Sequence, residues 1–112
     1  MEPIQRVTAP TLDVLEALLS TDGAVWGLLV IKATGRQAGT VYPILERLER
    51  QGWIRSSWDD DAERPGPRRR LYEFTADGVG AARELLDARQ TATDAAARAA
   101  RPARPTGRAV TS

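Results

Sequence analysis

The pattern of apolar and polar positions predicts four helices, with two strands between the third and the fourth. The first helix comes from A-P-T-L-D-V-L-E-A-L-L-S-T-D-G, in which leucines recur three or four residues apart. Pro10 lies near its first turn and Gly23 follows its end, so we expect this helix over about residues 10–20. Its apolar face contains Leu12, Leu15, Leu18 and Leu19.

The next apolar segment, A-V-W-G-L-L-V-I-K-A-T-G, is compatible with two structures. Its β-branched residues suit a buried strand. Its length of about eleven residues and its terminal Gly35 favour a buried helix, which is our prediction. Lys32 is the only charged residue of the segment and the only lysine of the chain.

The third segment, R-Q-A-G-T-V-Y-P-I-L-E-R-L-E-R-Q-G, has the clearest helical pattern. One face is apolar and consists of Val41, Ile44, Leu45 and Leu48. At about 100° per residue, the opposite side contains Arg36, Thr40, Pro43 and Arg47, with Arg50 at its margin. Because proline is tolerated in a first turn, we expect the helix to begin near Thr40 or Val41, with Thr40 as its N-cap. Gly52 ends it.

Two segments alternate as strands do, and a charged loop joins them. The first is W-I-R-S-S-W, residues 53–58, and the second is R-R-L-Y-E-F, residues 69–74. The connecting stretch D-D-D-A-E-R-P-G-P-R-R-R, residues 59–70, contains four acids and four arginines. It predicts a long hairpin loop with Pro-Gly-Pro at its tip. Thr75 then caps a last, alanine-rich helix that ends at about residue 97–100.

Composition narrows the possible chemistry. The chain has 112 residues, which suits one small domain, and it contains neither cysteine nor histidine. Disulfides, thiolate zinc sites, cysteine nucleophiles and imidazole bases are therefore excluded, and we expect neither an enzyme nor a bound cofactor. No apolar run approaches the roughly 18 residues of a membrane span, and the N-terminus lacks a secretion signal. These features predict a cytoplasmic protein without a membrane partner.

Charge is informative through its distribution, because the formal net charge is only +1. Arginines outnumber lysine 15 to 1, and they cluster on the third helix and in the loop. The guanidinium group suits phosphates and guanine edges. Loop cations near the tip are supplied by Arg64, Arg68, Arg69 and Arg70.

The order of elements predicts a mainly α fold with a small β-hairpin. Three helices, a two-stranded hairpin and a further helix make a winged helix-turn-helix, in which the third helix enters a DNA major groove and the hairpin is the wing. We expect an N-terminal arm over residues 1–9, a winged-helix domain over 10–75 and a further helix over 76–100. Residues 101–112 form a basic tail, which we expect to be disordered.

Two stretches of the chain resemble the PadR family of bacterial transcription regulators. These are G-T-V-Y-P-I-L with G-W-I and a later tryptophan, and G-P-R-R-R-L-Y-E-F-T-A-D-G. The resemblance covers about residues 10–90 and implies a dimeric, repressor-like regulator bound to a palindromic site. Family members often respond to small aromatic or hydrophobic molecules. The polar face of the third helix makes Arg36 a candidate DNA contact. By position, the resemblance implies further DNA contacts from Lys32, Gln37, Thr40, Tyr42, Pro43, Arg47, Arg68, Arg69 and Arg70.

Several roles stay open at this stage. Tyr42 either packs with its hydroxyl outward or donates to a phosphate, and Arg36 and Arg47 are either solvated charges or DNA contacts. Strand alternation sends Arg69 and Arg70 to opposite faces, which favours Arg68 and Arg69 as contacts. The acidic residues 59–61 are either a solvated run or a tether for the arginines. The three tryptophans are expected in the core rather than in an effector pocket.

The resemblance implies that the last helix, over residues 76–100, is a dimerisation helix that pairs with its counterpart across a dimer axis. Its apolar surface is small here, so a dimer would also need the first helix. The candidate dimer residues are Leu12, Leu15, Leu19, Val79, Leu85 and Leu86. The leading hypothesis is a sequence-specific DNA-binding regulator. The alternative is a winged helix that binds another protein, for instance to sequester another regulator.

Overall fold

The computed structural model describes residues 1–4, 6–59, 66 and 68–100. Within them, four helices and three strands follow one another in the order α1 (Ala9–Leu19), β1 (Val25–Trp26), α2 (Gly27–Thr34), α3 (Ala38–Arg50), β2 (Ile54–Trp58), β3 (Arg70–Phe74) and α4 (Ala76–Ala100). The mainly helical winged-helix architecture predicted from the sequence is confirmed. The expected basic tail, Arg64 and most of the acidic run lie outside the described residues.

The wing is part of a three-stranded antiparallel sheet in the order β1-β3-β2. Ser56 of β2 pairs with Tyr72 of β3, while Val25 and Trp26 of β1 pair with Tyr72 and Leu71. The prediction of a two-stranded wing missed β1. The segment that contains it was interpreted as one helix, but Val25 and Trp26 pair with β3, and the helix begins only at Gly27.

The core lies where α1, α2 and α3 meet the inner face of the sheet. Its largest fully buried side chains are Val14, Leu15, Val30, Val41, Leu45, Leu48 and Ile54. Burial of these side chains is the main favourable term in folding. In α1 the predicted Leu15 and Leu18 are buried, but Leu12 and Leu19 are only partly buried, and the fully buried Val14 was not predicted. The apolar face predicted for the third helix, from Val41 to Leu48, is buried throughout.

The third helix starts earlier than predicted. It begins at Ala38, and the backbone carbonyl of Gln37 accepts hydrogen bonds from the amides of Thr40 and Val41, both at 3.0 Å. Thr40 is therefore inside the first turn instead of being the N-cap, and Pro43 lies in the helix interior. Pro43 has no amide to donate to the carbonyl four residues earlier, but it lies on the exposed side, where that carbonyl can be solvated.

The start of α4 is fixed to the turn that follows α3. The Thr75 hydroxyl accepts a hydrogen bond from the Gly78 amide at 3.0 Å and donates to the Gly52 carbonyl at 2.8 Å. The Thr75 amide also donates to the Trp53 carbonyl at 3.1 Å. The predicted capping role of Thr75 is confirmed, and the cap also sets how α4 lies against the winged-helix domain.

The two ends of the described chain differ in how they are held. At the N-terminus, the Trp53 indole donates to the Glu2 carbonyl at 2.6 Å, and the Glu2 amide donates to the Gln51 carbonyl at 2.7 Å. At the other end, residues 91–100 of α4 are exposed on all sides. The second half of α4 therefore projects from the domain.

Candidate nucleic-acid interface

The outer side of α3 is an exposed polar surface backed by a buried apolar one. Gln37, Thr40, Pro43 and Arg47 are exposed, whereas Val41, Ile44, Leu45 and Leu48 face the core. Because the apolar side is covered by α1, α2 and the sheet, the helix cannot rotate about its axis without exposing leucines. The polar side is therefore presented in one fixed orientation.

Tyr42 packs at the edge of this surface. Its ring lies against the start of α2, where a Cβ atom added to Gly27 would be 3.1 Å from the Tyr42 Cε1 atom and 3.2 Å from the Tyr72 ring. Its side chain is nevertheless 38% exposed. The Tyr42 ring therefore packs against the start of α2, as the first of the two interpretations stated. A contact between its hydroxyl and a phosphate stays a prediction.

Arg36 is held by an acidic residue that the sequence pattern did not connect with it. Its Nε and Nη2 atoms donate to one oxygen of Asp13 on α1, at 3.0 and 2.8 Å. The other oxygen of Asp13 accepts a hydrogen bond from Arg89 on α4 at 3.3 Å. Asp13 therefore joins three parts of the fold. Its hydrogen bonds with Arg36 lower the pKa of the Asp13 carboxyl, against the opposing effect of burial.

The wing arginines lie on tryptophan rings. The guanidinium carbon of Arg69 is 4.1 Å from the centroid of Trp26 on β1, and that of Arg70 is 4.9 Å from the centroid of Trp58 on β2. Arg68 lies 5.7 Å from the same Trp58 ring. All three distances are in the range of cation–π attraction.

Arg70 is also tied to α3. Its Nη2 atom is 3.9 Å from a carboxylate oxygen of Glu49, which accepts a hydrogen bond from the Ser56 hydroxyl as well. Next to it, burial raises the pKa of the Tyr72 hydroxyl, with a smaller opposing effect from Arg70. These contacts direct Arg70 towards the junction between α3 and the wing, and its contact with DNA stays a prediction.

The expectation that all three tryptophans belong to the core is wrong for one of them. Trp53 is buried, with 3% exposure, and Trp26 is partly buried, but Trp58 is 49% exposed. Trp58 shares the inner face of the sheet with Ile54 and Ser56, yet it is exposed at the end of β2. Alternation along a strand indicates the face of a residue, but not how far the core extends.

The candidate dimer residues occupy different environments. Leu15 is fully buried in the core of this chain and offers no surface to a partner. Leu19, Leu85 and Leu86 are partly buried and pack against the core. Val79 lines a mixed cavity with Phe74, whereas Leu12 lines an apolar groove on α4.

Two apolar depressions lie along α4. The first is a groove of about 460 Å³ between α4 and the N-terminal region, lined by Val7, Leu12, Leu85, Ala88, Arg89, Ala92, Thr93 and Ala96. The second, of about 420 Å³, is lined by Met1, Pro3, Ile4, Trp53, Ala81, Glu84 and Leu85. We call the first depression the α4 groove.

Two further observations concern the described residues alone. None of their helices combines the length and apolar character needed to cross a lipid bilayer. Their acidic side chains do not form a cluster that could hold a metal ion.

A compact three-helix core, a hairpin with stacked arginines and an exposed polar helix define the class of winged helix-turn-helix proteins. The chain belongs to the PadR-like family of transcriptional regulators, whose model matches residues 26–84. This confirms the resemblance seen in the sequence. It also confirms the expectation of a regulator instead of an enzyme, since the family is one of transcription regulators.

Solved structures show the same fold. BpsR from Bordetella bronchiseptica, whose DNA binding is regulated by 6-hydroxynicotinic acid, is 29% identical with a TM-score of 0.67 over 83% of this chain. PcaV from Streptomyces coelicolor, a transcriptional regulator solved with its natural ligand, is 26% identical with a TM-score of 0.64 over 82% of this chain. The alignments span 63% of the length of each of these two proteins.

A PadR-like transcription factor from Bacteroides fragilis has a TM-score of 0.59 at 22% identity, over 80% of this chain and 89% of that one. At this identity the likeness concerns the fold alone. No curated protein sequence matches the chain significantly.

Proposed function

We propose that this chain is a sequence-specific regulator that binds double-stranded DNA, with α3 in the major groove and the wing on the flanking backbone. The observation that carries the proposal is the division of α3 into a fully covered apolar side and an exposed side with Gln37, Thr40 and Arg47. A helix that enters a groove needs this division, because one side must dock while the other reads.

The exposed side chains have the chemistry of base readout. Arginine makes paired hydrogen bonds with the O6 and N7 atoms of guanine, and glutamine does so with N6 and N7 of adenine. Arg47 and Gln37 are the candidates for these contacts. The arginines of the wing supply charge for phosphates, which position the protein without reading sequence.

Arg36 has a different role in this proposal. Its Asp13 partner neutralises its charge and fixes the backbone just before α3. It therefore contributes to DNA binding by holding the start of α3, in addition to any phosphate contact. Lys32, which is exposed on α2, is free to approach the backbone beside α3.

The test uses two arginines of the same helix. Arg47→Ala removes a proposed base contact and is expected to weaken binding to the preferred site by about 5- to 150-fold, from the roughly 1–3 kcal/mol of such contacts. Arg50→Ala removes an equal charge at the margin of the surface and is expected to change affinity by less than about threefold. The sites are first selected from random or genomic DNA, and affinities are measured by fluorescence anisotropy.

The proposal fails if the wild-type protein prefers no sequence over random DNA at moderate salt. It also fails if both variants bind as the wild type does. The alternative is a winged helix that binds another protein. A double variant with Arg47→Ala and Arg69→Ala separates the two functions. If the double variant loses DNA binding but keeps a protein partner, the alternative is favoured over the regulator proposed here.

The dimer is a second part of the proposal, and the α4 groove supports it. The groove presents Ala88, Ala92 and Ala96 on one stripe beside Leu85, and it continues onto the projecting half of α4. Two copies packed along this stripe by a two-fold axis would place two α3 helices on a palindromic site. Leu12, at the edge of the groove, brings α1 into the contact.

Two substitutions on different sides of α4 test the dimer. Ala92→Glu places a charge in the α4 groove and is expected to convert a dimer into a monomer, measured by light scattering after size exclusion. Ala97→Glu adds the same charge about 140° away around the helix, at a position that does not line the groove, and is expected to leave the dimer intact. Equal behaviour of the two variants would contradict this placement of the interface.

The regulator is proposed to act in the cytoplasm as a repressor, by occupying a palindromic operator. A small hydrophobic or aromatic effector is the proposed signal. The two apolar depressions beside α4 could accept one, and BpsR and PcaV are relatives of the same fold with ligands. Expression of a reporter gene under its operator should rise when the gene for this protein is deleted. A fall in expression would instead show an activator.

A further inference from the structure

Three consecutive arginines at the start of β3 are each placed over an indole ring. Arg69 lies over Trp26 at 4.1 Å, and Arg70 and Arg68 lie over Trp58 at 4.9 and 5.7 Å. The two tryptophans are separated by 32 positions in the chain, and they meet the arginines from opposite sides of the strand. The wing therefore carries its cations on two separate aromatic surfaces.

The sheet register produces this arrangement. Trp26 is paired with Leu71, and Arg69 lies two residues before Leu71, so Trp26 and Arg69 share a face. Trp58 is paired directly with Arg70 on the other face. The short strand β1 exists only through its pairing with β3, and that pairing brings Trp26 within reach of Arg69.

Stacking leaves the hydrogen-bonding edge of an arginine available. The guanidinium group meets an indole ring through its flat face, while its five N–H groups point outward in the plane. A stacked arginine can therefore still donate to a phosphate. Arg69 is the clearest case, since its ring contact is the shortest of the three and Arg70 is in addition paired with Glu49.

We propose that Trp26 and Trp58 are positioning residues for DNA binding, which hold the wing guanidinium groups in the orientation that phosphates require. This inference rests on the proposed DNA-binding function. A free arginine side chain loses considerable rotamer freedom when it binds a phosphate, and a preformed stack removes part of that loss. Trp26 acts on Arg69, and Trp58 acts on Arg68 and Arg70.

The role predicts a particular signature in salt titrations. Loss of an aromatic surface leaves the arginine and its charge in place, so the number of neutralised phosphates stays the same. The affinity should then fall by a constant factor at every salt concentration, while the slope of log K against log salt is unchanged. Loss of the arginine itself should reduce that slope by about 0.9.

The experiment compares Trp26→Leu, Trp26→Phe and Arg69→Ala with the wild type on the selected DNA site. Trp26→Leu is expected to weaken binding roughly two- to fivefold, which corresponds to the cation–π energy of a partly exposed pair. Trp26→Phe, which keeps an aromatic face, is expected to stay within about twofold. Trp58→Leu and Trp58→Phe repeat the comparison at an exposed position, where folding is not at risk, and thermal melts check the fold of all variants.

An NMR measurement without DNA separates a failure of this inference from a failure of the proposed DNA-binding function. The ring current of the Trp26 indole should shift the Nε–H signal of Arg69 in NMR spectra, and Trp26→Leu should abolish that shift. If this shift is present but the wild type binds no DNA, the proposed function falls and this inference falls with it. If the wild type binds DNA but the Trp→Leu variants bind equally well, or the Phe variants lose as much as the Leu variants, this inference alone is overturned.

Discussion

The contact between α4 and the turn after α3 has no room for a side chain at Gly78. A Cβ atom built on Gly78 would overlap the Trp53 carbonyl oxygen, and it would lie 2.7 Å from the Trp53 carbonyl carbon and 2.9 Å from the Thr75 hydroxyl. Most of these atoms belong to the backbone, so no rotamer change relieves the overlap. Gly78→Ala should therefore push α4 away from the winged-helix domain.

The cost can be estimated from two contributions. Overpacking of a tightly packed site costs about 1–3 kcal/mol. The Thr75 cap, whose hydroxyl binds Gly78 at 3.0 Å, adds about 1 kcal/mol if it is disrupted. The higher helix propensity of alanine stabilises the folded state by up to about 1 kcal/mol and offsets part of this cost. The free energy of unfolding should thus fall by about 1–3 kcal/mol, which lowers the melting temperature by roughly 4–24 °C.

The assay is urea and thermal unfolding followed by circular dichroism. Gly80→Ala is the matched control, because Gly80 lies in the same helix and an added Cβ would meet nothing within 4 Å. That variant should be as stable as the wild type or up to about 1 kcal/mol more stable. If Gly78→Ala were within about 0.5 kcal/mol of the wild type, the close approach of α4 described here would be refuted.

Two further predictions concern pH. Asp13→Asn should lower the free energy of unfolding by about 1 kcal/mol at neutral pH, because its contacts with Arg36 are lost. The pKa of Asp13 is lowered on folding, so this stabilisation is present above the ordinary value of 3.8 and is lost as the pH falls below it. Denaturant titrations at pH 7 and pH 3 should show the stabilities of the variant and the wild type converging in acid, whereas the exposed Asp22→Asn should match the wild type at pH 7. The pKa of Tyr72 is raised, so its contribution is present below pH 10 and is lost as the pH rises through the folded value. Tyr72→Phe removes this group, whereas Tyr42→Phe keeps it. Between pH 9 and pH 11 the Tyr72→Phe variant should therefore lose less stability than the Tyr42→Phe variant, and an equal loss would contradict the burial of Tyr72.

Much of the candidate interface was predictable because its signals are local. The apolar stripe of α3 at positions 41, 44, 45 and 48 determines which side is buried, and Arg47 lies opposite by helix geometry alone. Thr75 as a cap and the hairpin that carries the arginines follow from capping and turn chemistry. The PadR-like family was identifiable from the same residues.

Contacts between distant segments were not predictable in this way. The pairing of Arg36 with Asp13 spans 23 positions, and that of Arg69 with Trp26 depends on a two-residue strand that has no periodicity of its own. Pro43 suggested a helix start near Thr40 or Val41, but the structure places the start at Ala38. A proline is tolerated on the exposed side of the helix, because the Gly39 carbonyl that loses its amide partner is left to solvent.

The sequence by itself determined the four helices and the two strands of the hairpin, though not the two-residue strand β1, and it determined the apolar side of α3 and the family to which the chain belongs. Periodicity, capping and turn residues act over a few positions, so they can be followed along the chain. Only the tertiary structure decided that Leu15 is sealed in the core, that Trp58 extends beyond it and that the wing arginines rest on indole rings. The physical reason is that burial and stacking depend on which other element covers a face, and that element comes from elsewhere in the chain.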